Sequence, residues 1–382
     1  MFPALPRLTV VGLLAPACLV FGYQLRDDVY HVRPGESIQE AIDAAAADPR
    51  RKEVRVHAGT YRPSQPGQAL IWFNRQHDGV QVRAVGKVTL TAANPDISDA
   101  SKPSHPAVVN HVVYFGDGIT NHTVLDGFRI TGAKNFVTTN FPEDIEPDTT
   151  LVKGLFFFCD GGGIKIFGRS YPTLRNLVIE GNYASPCAGG ISVEHDGHGK
   201  GTAPGAVVIV NSVFRRNLAQ VTGAALDLLP GSHAVVSNCL FTGNAANTGR
   251  NYIAPNPAKP EFTNSAPLTV FPDSRAVVRR CTFAGNRNAV DDYGRGSLYE
   301  NSIFWNNTLG GGHYTRERYD LDLAGAARVT GCWFDGAVKD PHGWMSPERN
   351  HLNARDPRFD AAFRPRGPAY RDSGYRPPPG SD

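Results

Sequence analysis

A short motif that recurs along this 382-residue chain constrains its fold more than any other feature. The strings NSVFRRN (211–217), NCLFTGN (238–244), RCTFAGN (280–286) and NSIFWNN (301–307) share a Phe that is followed, three residues later, by Asn. The intervals between the strings vary, so each repeat has a fixed part and a loop of variable length. This pattern is typical of solenoids, in which each repeat forms one coil and only the loops change in size.

Alignment on the Phe position reveals further columns of like residues. The Phe column extends back through Ile179 and Ile130 and forward to Phe334, and the residues five positions earlier are nearly all apolar. That apolar column comprises Leu174, Ile209, Val236, Val278, Tyr299 and Val329. Two residues before the Phe column lies another inward column of mostly small residues, and between it and the apolar column are two successive polar-tolerant positions, the second of which is mostly Asn. Because a flat strand alternates its side chains, the chain must bend there, and Asn suits the left-handed backbone of such a bend.

A second Asn column and a set of Gly-rich steps complete the repeat. The column comprises Asn182, Asn217, Asn244, Asn286 and Asn307. The steps GGGIKIF (161–167), GGISVE (189–194) and GAALDLL (223–229) announce a further strand in each coil. The sequence therefore predicts an all-β fold, a single-stranded right-handed parallel β-helix whose coils stack at about 4.8 Å. We interpret the Phe and Asn columns as scaffold, since stacked rings fill a core and Asn amides satisfy buried turns.

The two ends of the chain differ from the repeats. An apolar run from Leu8 to Gly22 follows Arg7, so we expect residues 1–22 to be a secretory signal peptide, with a lipoprotein anchored through Cys18 as the alternative. Ser37 and Glu40 form a capping-box signature ahead of an amphipathic helix over 36–47, within an N-terminal cap of residues 23–60. The β-helix should occupy 61–339, and the Pro- and Arg-rich residues 340–382 a partly disordered capping tail.

Charge excludes one class of partner. The 39 Lys and Arg residues against 36 Asp and Glu give a net charge of +3, and the basic residues are scattered, so we expect no nucleic-acid binding. No membrane-spanning segment follows the predicted signal peptide. We expect an extracellular, periplasmic or cell-surface monomer.

The order of motifs resembles a known family of folds. AGTYRP (58–63), HVVYFGDGITNHTVLDGFRITGA (111–133), the Phe-x-x-Asn coils and NARDPRFDAAFRPRGPAY (353–370) follow one another as in exported right-handed β-helix repeat proteins of the pectin-lyase-like superfamily. The Phe-x-x-Asn and Gly-Gly-x-Ile repeats are also similar to those of polymorphic outer-membrane proteins. The resemblance implies a protein that binds or processes polysaccharide, as a lyase or hydrolase if it is an enzyme, or a non-catalytic adhesin-like surface protein.

The outward positions of the Gly-rich strand are where we expect chemistry. Lys165, Asp227, Asp291 and Asp322 fall in one column and are the candidate catalytic residues. The candidate substrate-binding residues are Phe167, Glu194, Phe271, Tyr293 and Arg169. Asp291 and Asp322 should lie roughly 5 Å apart, which suits a retaining pair or a shared Ca²⁺, and Asp227 and Asp291 roughly 10 Å apart. Lys165 and Arg169 have the residue types of a lyase base and a uronate anchor. The alternative is a solvated polar face.

Other polar residues leave alternatives open. Asp292 aligns with inward positions, so either the strand breaks there or a carboxylate is buried. Glu194, His195, Asp196 and His198 have the residue types of a metal site or of a solvated turn, and we assign no metal ligands.

Cysteines and long loops complete the sequence predictions. Cys159 and Cys187 each precede a Gly-Gly turn on neighbouring coils and are the best disulfide candidate. Four acids in the 134–161 loop hint at cation binding, so Ca²⁺ remains a candidate ligand although no cofactor is predicted with certainty. These acids are Glu143, Asp144, Glu146 and Asp148.

Overall fold

The computed structural model describes residues 22–135, 159–185, 187–195, 205–246, 266–309 and 318–379. The predicted signal peptide up to residue 21, with Cys18, lies outside these residues. So do Asp196 and His198 of the candidate metal cluster and the four acids of the 134–161 loop.

Thirty strands, one α-helix and three short 3-10 helices (Arg75–His77, Pro347–Arg349 and Pro368–Tyr370) make up the regular structure of the described residues. In chain order the strands are β1 (Gln24–Arg26), β2 (Val29–Val32), β3 (Glu53–Tyr61), β4 (Gly67–Phe73), β5 (Gln81–Thr91), β6 (Val109–Phe115), β7 (Val124–Thr131), β8 (Lys134–Asn135), β9 (Ile164–Phe167), β10 (Thr173–Arg175), β11 (Val178–Glu180), β12 (Tyr183–Ala184), β13 (Ile191–Glu194), β14 (Val207–Val210), β15 (Val213–Arg215), β16 (Leu218–Ala219), β17 (Leu226–Leu228), β18 (His233–Ser237), β19 (Leu240–Thr242), β20 (Leu268–Val270), β21 (Arg275–Arg279), β22 (Thr282–Ala284), β23 (Val290–Asp292), β24 (Ser297–Glu300), β25 (Ile303–Trp305), β26 (Leu321–Leu323), β27 (Ala327–Thr330), β28 (Trp333–Phe334), β29 (Val338–Lys339) and β30 (His351–Leu352).

The strands form a right-handed parallel β-helix, as the sequence predicts. Sheet A holds two rows that share β2, β3, β5 and β7 and then divide, one row running through β10, β14, β18, β21, β24 and β27 and the other through β11, β15, β19, β22, β25, β28 and β30. Sheet B stacks β4, β6, β9, β13, β17, β20, β23, β26 and β29, and a short third sheet stacks β8, β12 and β16. Strand stacking begins before residue 61, because β2 already pairs in parallel with β3.

Helix α1 (Ile38–Ala47) covers the start of the coils. Its buried face consists of Ile38, Ala41, Ile42 and Ala45, which pack into the main core. The backbone N–H of Glu40 donates to Ser37 Oγ at 3.2 Å, so Ser37 is the N-cap. The Glu40 carboxylate does not complete the capping box but accepts from the Gly22 N–H at 3.1 Å.

The predicted columns stack in the predicted register. Phe214, Phe241, Phe283, Phe304 and Phe334 pair strand by strand. Their rings are nearly parallel, with centroid separations of 4.7, 4.4, 5.0 and 4.7 Å along the stack. These rings are buried and fill the solenoid interior over five successive coils.

The bend column has the left-handed backbone that its composition predicts. Its φ angles are +55° at Asn176, +53° at Asn211, +50° at Asn238, +51° at Arg280 and +49° at Asn301. Asn and Gly tolerate this region better than other residues, which explains why the column is nearly all Asn.

The second Asn column is a buried hydrogen-bonded ladder. The Nδ2 of Asn182, Asn217, Asn244 and Asn286 each donates to the Oδ1 of the next Asn, at 3.2, 3.1, 3.0 and 3.0 Å. Each Nδ2 also donates to a backbone carbonyl of the preceding coil, such as Phe214 O for Asn244. Each side chain therefore satisfies both its neighbours and the turn backbone.

The C-terminal tail does more than cover the last coil. The Trp333 ring stacks on His351 at 3.5 Å and lies 4.3 Å from Tyr370. The tail then returns along sheet A, where the Tyr375 N–H donates to Thr282 Oγ1 at 2.9 Å and the Arg376 N–H donates to Asn238 Oδ1 at 2.7 Å. In the part of the chain that the structure describes, no helix is long and apolar enough to cross a membrane.

Candidate functional site

The predicted outward column forms a continuous ladder on sheet B. Its register joins Lys165, Ser192, Asp227, Thr269, Asp291 and Asp322 in that order. The ladder, as we call it from here, also includes Trp72 and Tyr114 before Lys165 and Lys339 after Asp322. The sequence analysis missed these three residues because their strands lack the Gly-rich step, although the alternation in LIWF (70–73) and VVYF (112–115) marks the same position.

Most of the ladder is buried, which corrects the expectation of an exposed face. Lys165, Asp227 and Asp291 are fully buried. The reason is that the turns leading into each strand fold over the ladder. Gly223 N donates to Thr269 Oγ1 at 3.1 Å, and Ala266 N donates to Asp291 Oδ2 at 3.0 Å.

Of the three aromatic residues that the sequence predicts as exposed sugar platforms, two are buried and one is partly exposed. Phe167 and Phe271 are buried, so the expectation that they are exposed is wrong. Phe167 packs against Tyr114 beside the partly buried Trp72, as part of a small cluster outside the main core. Tyr293 and Glu194 are partly exposed, and Arg169 is exposed. In this conformation Tyr293 is therefore the predicted platform that solvent reaches.

Lys165 lies at the centre of a buried group of ionisable side chains. Its Nζ donates to Glu194 Oε2 at 2.6 Å and to Ser192 Oγ at 3.3 Å. Asp160 and Asp227 lie close enough to Lys165 for its charge to favour their ionised forms. A buried charge is costly unless it is paired, so the pairing of Lys165 with Glu194 is what allows an ammonium group to lie under the turns.

Asp160 and Asp227 hold their protons more tightly than ordinary carboxyl groups. Burial raises the pKa of Asp227 to about 7, against opposing contributions from Thr222 and Lys165. Burial also raises the pKa of Asp160 well above its usual range. Among the described residues, Asp160 Oδ2 and Asp227 Oδ1 have no hydrogen-bond partner. The two carboxyl groups and Lys165 together form a cluster of ionisable groups with raised carboxyl pKa values, a combination that is frequent at functional sites.

Asp291 lies two strands beyond Asp227 and titrates in the same range. Burial raises its pKa to about 7, while hydrogen bonds from the Tyr319 hydroxyl and the Ala266 N–H oppose the shift. Asp322, on the adjacent strand, is partly exposed, and Lys339 Nζ lies 4.0 Å from its Oδ2. Adjacent strands are about 4.8 Å apart, so the ladder places Asp291 beside Asp322, as the sequence predicts.

A second charged group lies where β6 and β9 end. The buried carboxylate of Asp117 binds the guanidinium groups of Arg75 and Arg169. Burial raises the pKa of Asp117, but the hydrogen bonds from Arg169 and Arg75 outweigh it and lower the pKa below the usual value. The side chains of Arg75 and Arg169 are 60% and 44% exposed, so one carboxylate holds two cations side by side at the surface.

Several sequence alternatives are decided by the structure. Asp292 is buried at the end of β23 and accepts from the Tyr299 hydroxyl at 2.7 Å and from Gly294 N at 2.8 Å; burial raises its pKa. His195 is also buried, with Nε2 2.8 Å from Ser170 O. Asp292 is therefore a buried carboxylate within a strand, the second of its two alternatives, whereas Asp196 and His198 lie outside the described residues.

The expected disulfide is absent. Cys159 and Cys187 are buried and are not joined by a disulfide, and Cys187 Sγ lies 3.2 Å from Thr222 Oγ1 on the next coil. Among the described residues, no three His, Cys, Asp or Glu side chains converge in a way that could hold a metal ion.

Comparison with known proteins adds little beyond the fold. No protein-family model matches the chain, and no curated protein matches it. Among solved structures, pectate lyase Pel9A is similar with a TM-score of 0.36 and 14% identity, covering 82% of this chain and 81% of that chain. At this level the similarity says nothing of activity, and the β-helix assignment depends on the strand pairing described above.

Proposed function

We propose that the protein binds and processes a polysaccharide, of acidic type, along sheet B. The observation that carries the proposal is the group of Lys165, Glu194, Asp160 and Asp227, in which Lys165 pairs with Glu194 and two carboxyl oxygens have no hydrogen-bond partner among the described residues. A solenoid scaffold has no need of such a group, because Ser192 and Thr269 occupy the same column without charge. Ionisable groups with shifted pKa values that lie together are typical of catalytic sites.

The surface beside this group suits an acidic chain. Arg75 and Arg169 present exposed guanidinium groups at one end of the ladder, and such groups bind carboxylates in a forked geometry. Tyr293 supplies a partly exposed ring farther along sheet B. An extended sugar chain along the solenoid axis can contact both regions, since the stacked strands form one continuous surface.

Asp227 is the residue to which we assign proton transfer. A carboxyl group with a pKa of about 7 is partly protonated at neutral pH, so it can donate a proton to a glycosidic oxygen. Glu194 is paired with Lys165 and lies on β13, next to the strand of Asp227. We assign it as the second carboxylate of the proposed catalytic pair. Access to Asp227 requires Thr222 and Gly223 to move, because Thr222 Oγ1 lies 3.2 Å from Asp227 Oδ2 and Gly223 lies against the same side chain.

The burial of the ladder favours a second candidate, a non-catalytic surface protein. Lys165, Asp227 and Asp291 have no solvent exposure, and Asp291 has a partner for each oxygen. In this alternative the scaffold itself is the functional element, as in the adhesins that the repeats resemble. We further propose export through residues 1–22, a C-terminal cap over 340–382 and a monomeric state.

The test is a screen of the purified mature protein against polyuronates and neutral polysaccharides, with and without Ca²⁺. Unsaturated products are followed by ultraviolet absorbance, reducing ends by a colorimetric assay, and binding by calorimetry. We expect products from an acidic polymer, and we expect Asp227→Asn to lower kcat about 100-fold or more, in the range that general acid catalysis contributes. Lys165→Ala should be inactive as well.

Asp96→Asn is the matched control, since it makes the same chemical change on an exposed side chain outside sheet B. Each variant is first compared with the wild type by melting temperature, so that loss of folding is recognised. Binding without any product would identify a carbohydrate-recognition protein. If neither binding nor product is observed, the surface scaffold is favoured and the proposal is overturned.

A further inference from the structure

We propose that sheet A carries a second binding site, separate from the ladder, for a linear anionic glycan. The carboxylate or sulfate groups of the glycan would bind the guanidinium groups of Arg129, Arg215 and Arg216. This site does not depend on the proposed function of sheet B, because the residues belong to different strands and a different face of the solenoid.

One buried carboxylate organises the three arginines. Glu180 is 2% exposed, and its two oxygens accept from Nε of Arg129 and Nε of Arg215, with Arg216 Nη2 3.4 Å away. The arginine side chains are 52%, 44% and 71% exposed. Arg129 and Arg215 bind Glu180 through Nε, and among the described residues their Nη groups make no hydrogen bond, so they can bind a ligand. The cluster has three positive charges and one negative charge, with its donors at the surface.

The backbone at Arg216 is left-handed, as it is at the aligned positions of other coils. The residue lies two positions after the Phe column, where other coils have Gly181, Gly243, Gly285 and Asn306 with φ of +61°, +64°, +67° and +50°. Arg216 adopts the same left-handed conformation at φ +53°, which is strained for a residue with a long side chain. Arg216 therefore places an exposed guanidinium at the left-handed position of its coil, where the aligned positions of other coils carry Gly or Asn.

Two further arginine–carboxylate clusters lie on sheet A in the row that runs through β10, β21, β24 and β27, across the bend from the Glu180 cluster. Asp126 binds Arg175 at 2.9 Å and Arg83 at 3.7 Å, and Glu300 binds Arg279 at 2.6 Å and Arg328 at 3.4 Å. With the Glu180 cluster, these groups place seven arginines against three carboxylates on one sheet, although the whole chain has a net charge of only +3. Arg280 repeats the strained pattern, as the one Arg in the Asn bend column.

The shape and chemistry of this surface select a glycan. The Glu180 cluster draws Arg129 and Arg215 from coils that stack at about 4.8 Å, so its cationic groups are spaced along the solenoid axis, which suits a linear polyanion. The cations are all Arg, whose planar fork binds carboxylate or sulfate through two parallel hydrogen bonds. The outward neighbours on the same strands are Val178 and Val213, which are aliphatic. Single-stranded nucleic acid normally requires aromatic side chains for base stacking, and this cluster offers none.

The matched test compares Arg216→Gly with Arg358→Gly. Both change an exposed arginine at positive φ into glycine, and Arg358 lies in the C-terminal tail with φ +50°. Oligomers of a polyuronate, a sulfated glycan and a neutral glycan, too short to reach from sheet A to sheet B, are titrated by calorimetry. We expect Arg216→Gly to weaken the sheet A site about 10-fold, as the loss of a hydrogen bond between charged groups does.

The melting temperature makes the result unambiguous. Arg216→Gly should melt at or above the wild-type temperature, since glycine removes the backbone strain, so weaker binding cannot be attributed to unfolding. Arg169→Gln should weaken only the sheet B site, which separates failure of the two proposals. The polyuronate and sulfate arms decide which anion is preferred. Equal binding of Arg216→Gly and wild type, equal binding of the neutral glycan, or preference for single-stranded nucleic acid would each overturn the proposal.

Discussion

The asparagine ladder should respond strongly to the loss of one member, and Asn244 is the best place to test it. Its Oδ1 accepts from Asn217 N at 3.0 Å and from Asn217 Nδ2 at 3.1 Å, while its Nδ2 donates to Phe214 O and to Asn286 Oδ1, each at 3.0 Å. The side chain is fully buried, so Asn244→Ala leaves its former partners without water to replace it. The substitution therefore removes four hydrogen bonds from the interior at once.

The size of the loss in unfolding free energy follows from the hydrogen bonds that remain after the substitution. Asn217 Nδ2 still donates to Ile179 O at 2.9 Å, and Asn286 Oδ1 still accepts from Asn244 N at 3.0 Å. The Asn217 N–H and the Phe214 carbonyl oxygen each lose the hydrogen bond that they make with the Asn244 side chain. An unsatisfied buried group costs about 1–3 kcal/mol, so we expect Asn244→Ala to lower the free energy of unfolding by about 2–5 kcal/mol.

Urea unfolding followed by Trp fluorescence measures this change. Asn121→Ala is the control, because that side chain is exposed, and it should change the free energy by no more than about 0.5 kcal/mol. Asn244→Asp adds a pH test. Asp320 occupies the end of the asparagine ladder, where Asn307 Nδ2 donates to its Oδ1 at 2.9 Å. Burial raises the pKa of Asp320 to about 6. Burial should likewise favour the protonated form in Asn244→Asp, so this variant should be more stable at pH 5 than at pH 8. An Asn244→Ala variant as stable as the Asn121→Ala control would refute the reasoning.

Two further predictions concern the Phe stack in the core and Asp227 in the ladder of sheet B. Phe241→Ala should lower the free energy of unfolding by about 3–5 kcal/mol, because it opens a cavity between Phe214 and Phe283 in the ring stack; a loss below about 1 kcal/mol in urea unfolding would contradict the packing. Asp227 has a folded pKa of about 7 against a reference of 3.8, so the protonated form favours folding and stability should fall as pH rises from about 4 to 7. Asp227→Asn should remove that part of the slope, of the order of 4 kcal/mol, in unfolding curves at pH 4.5 and 7.5.

The scaffold was predictable because its determinants are local and repeated. The Phe register, the apolar column and the bend at Asn176, Asn211 and Asn238 all match the structure. Strand alternation and the left-handed preference of Asn act within a few residues, so one repeat contains the information and the others confirm it. Asp291 and Asp322 were placed beside each other for the same reason.

The candidate site was only half predictable. The column from Lys165 to Asp322 is correct in register, but its burial and the covering of Phe167 and Phe271 were not foreseen. Asp160 and Thr222 were missed because they lie in turns, outside any periodic column. Cys187 faces Thr222 of the next coil, a pairing that depends on turn geometry rather than on sequence spacing.

The sequence alone therefore determined the β-helix, the order of its strands and the identity of its stacked columns, because these depend on local periodicity. The tertiary structure decided which outward positions reach solvent, which carboxyl groups hold protons near neutral pH and which arginines share a carboxylate. Burial depends on how each turn folds over the neighbouring coil, and a pKa depends on that burial. The Glu180 cluster joins residues from three coils, Arg129, Glu180 and Arg215, that only stacking brings together.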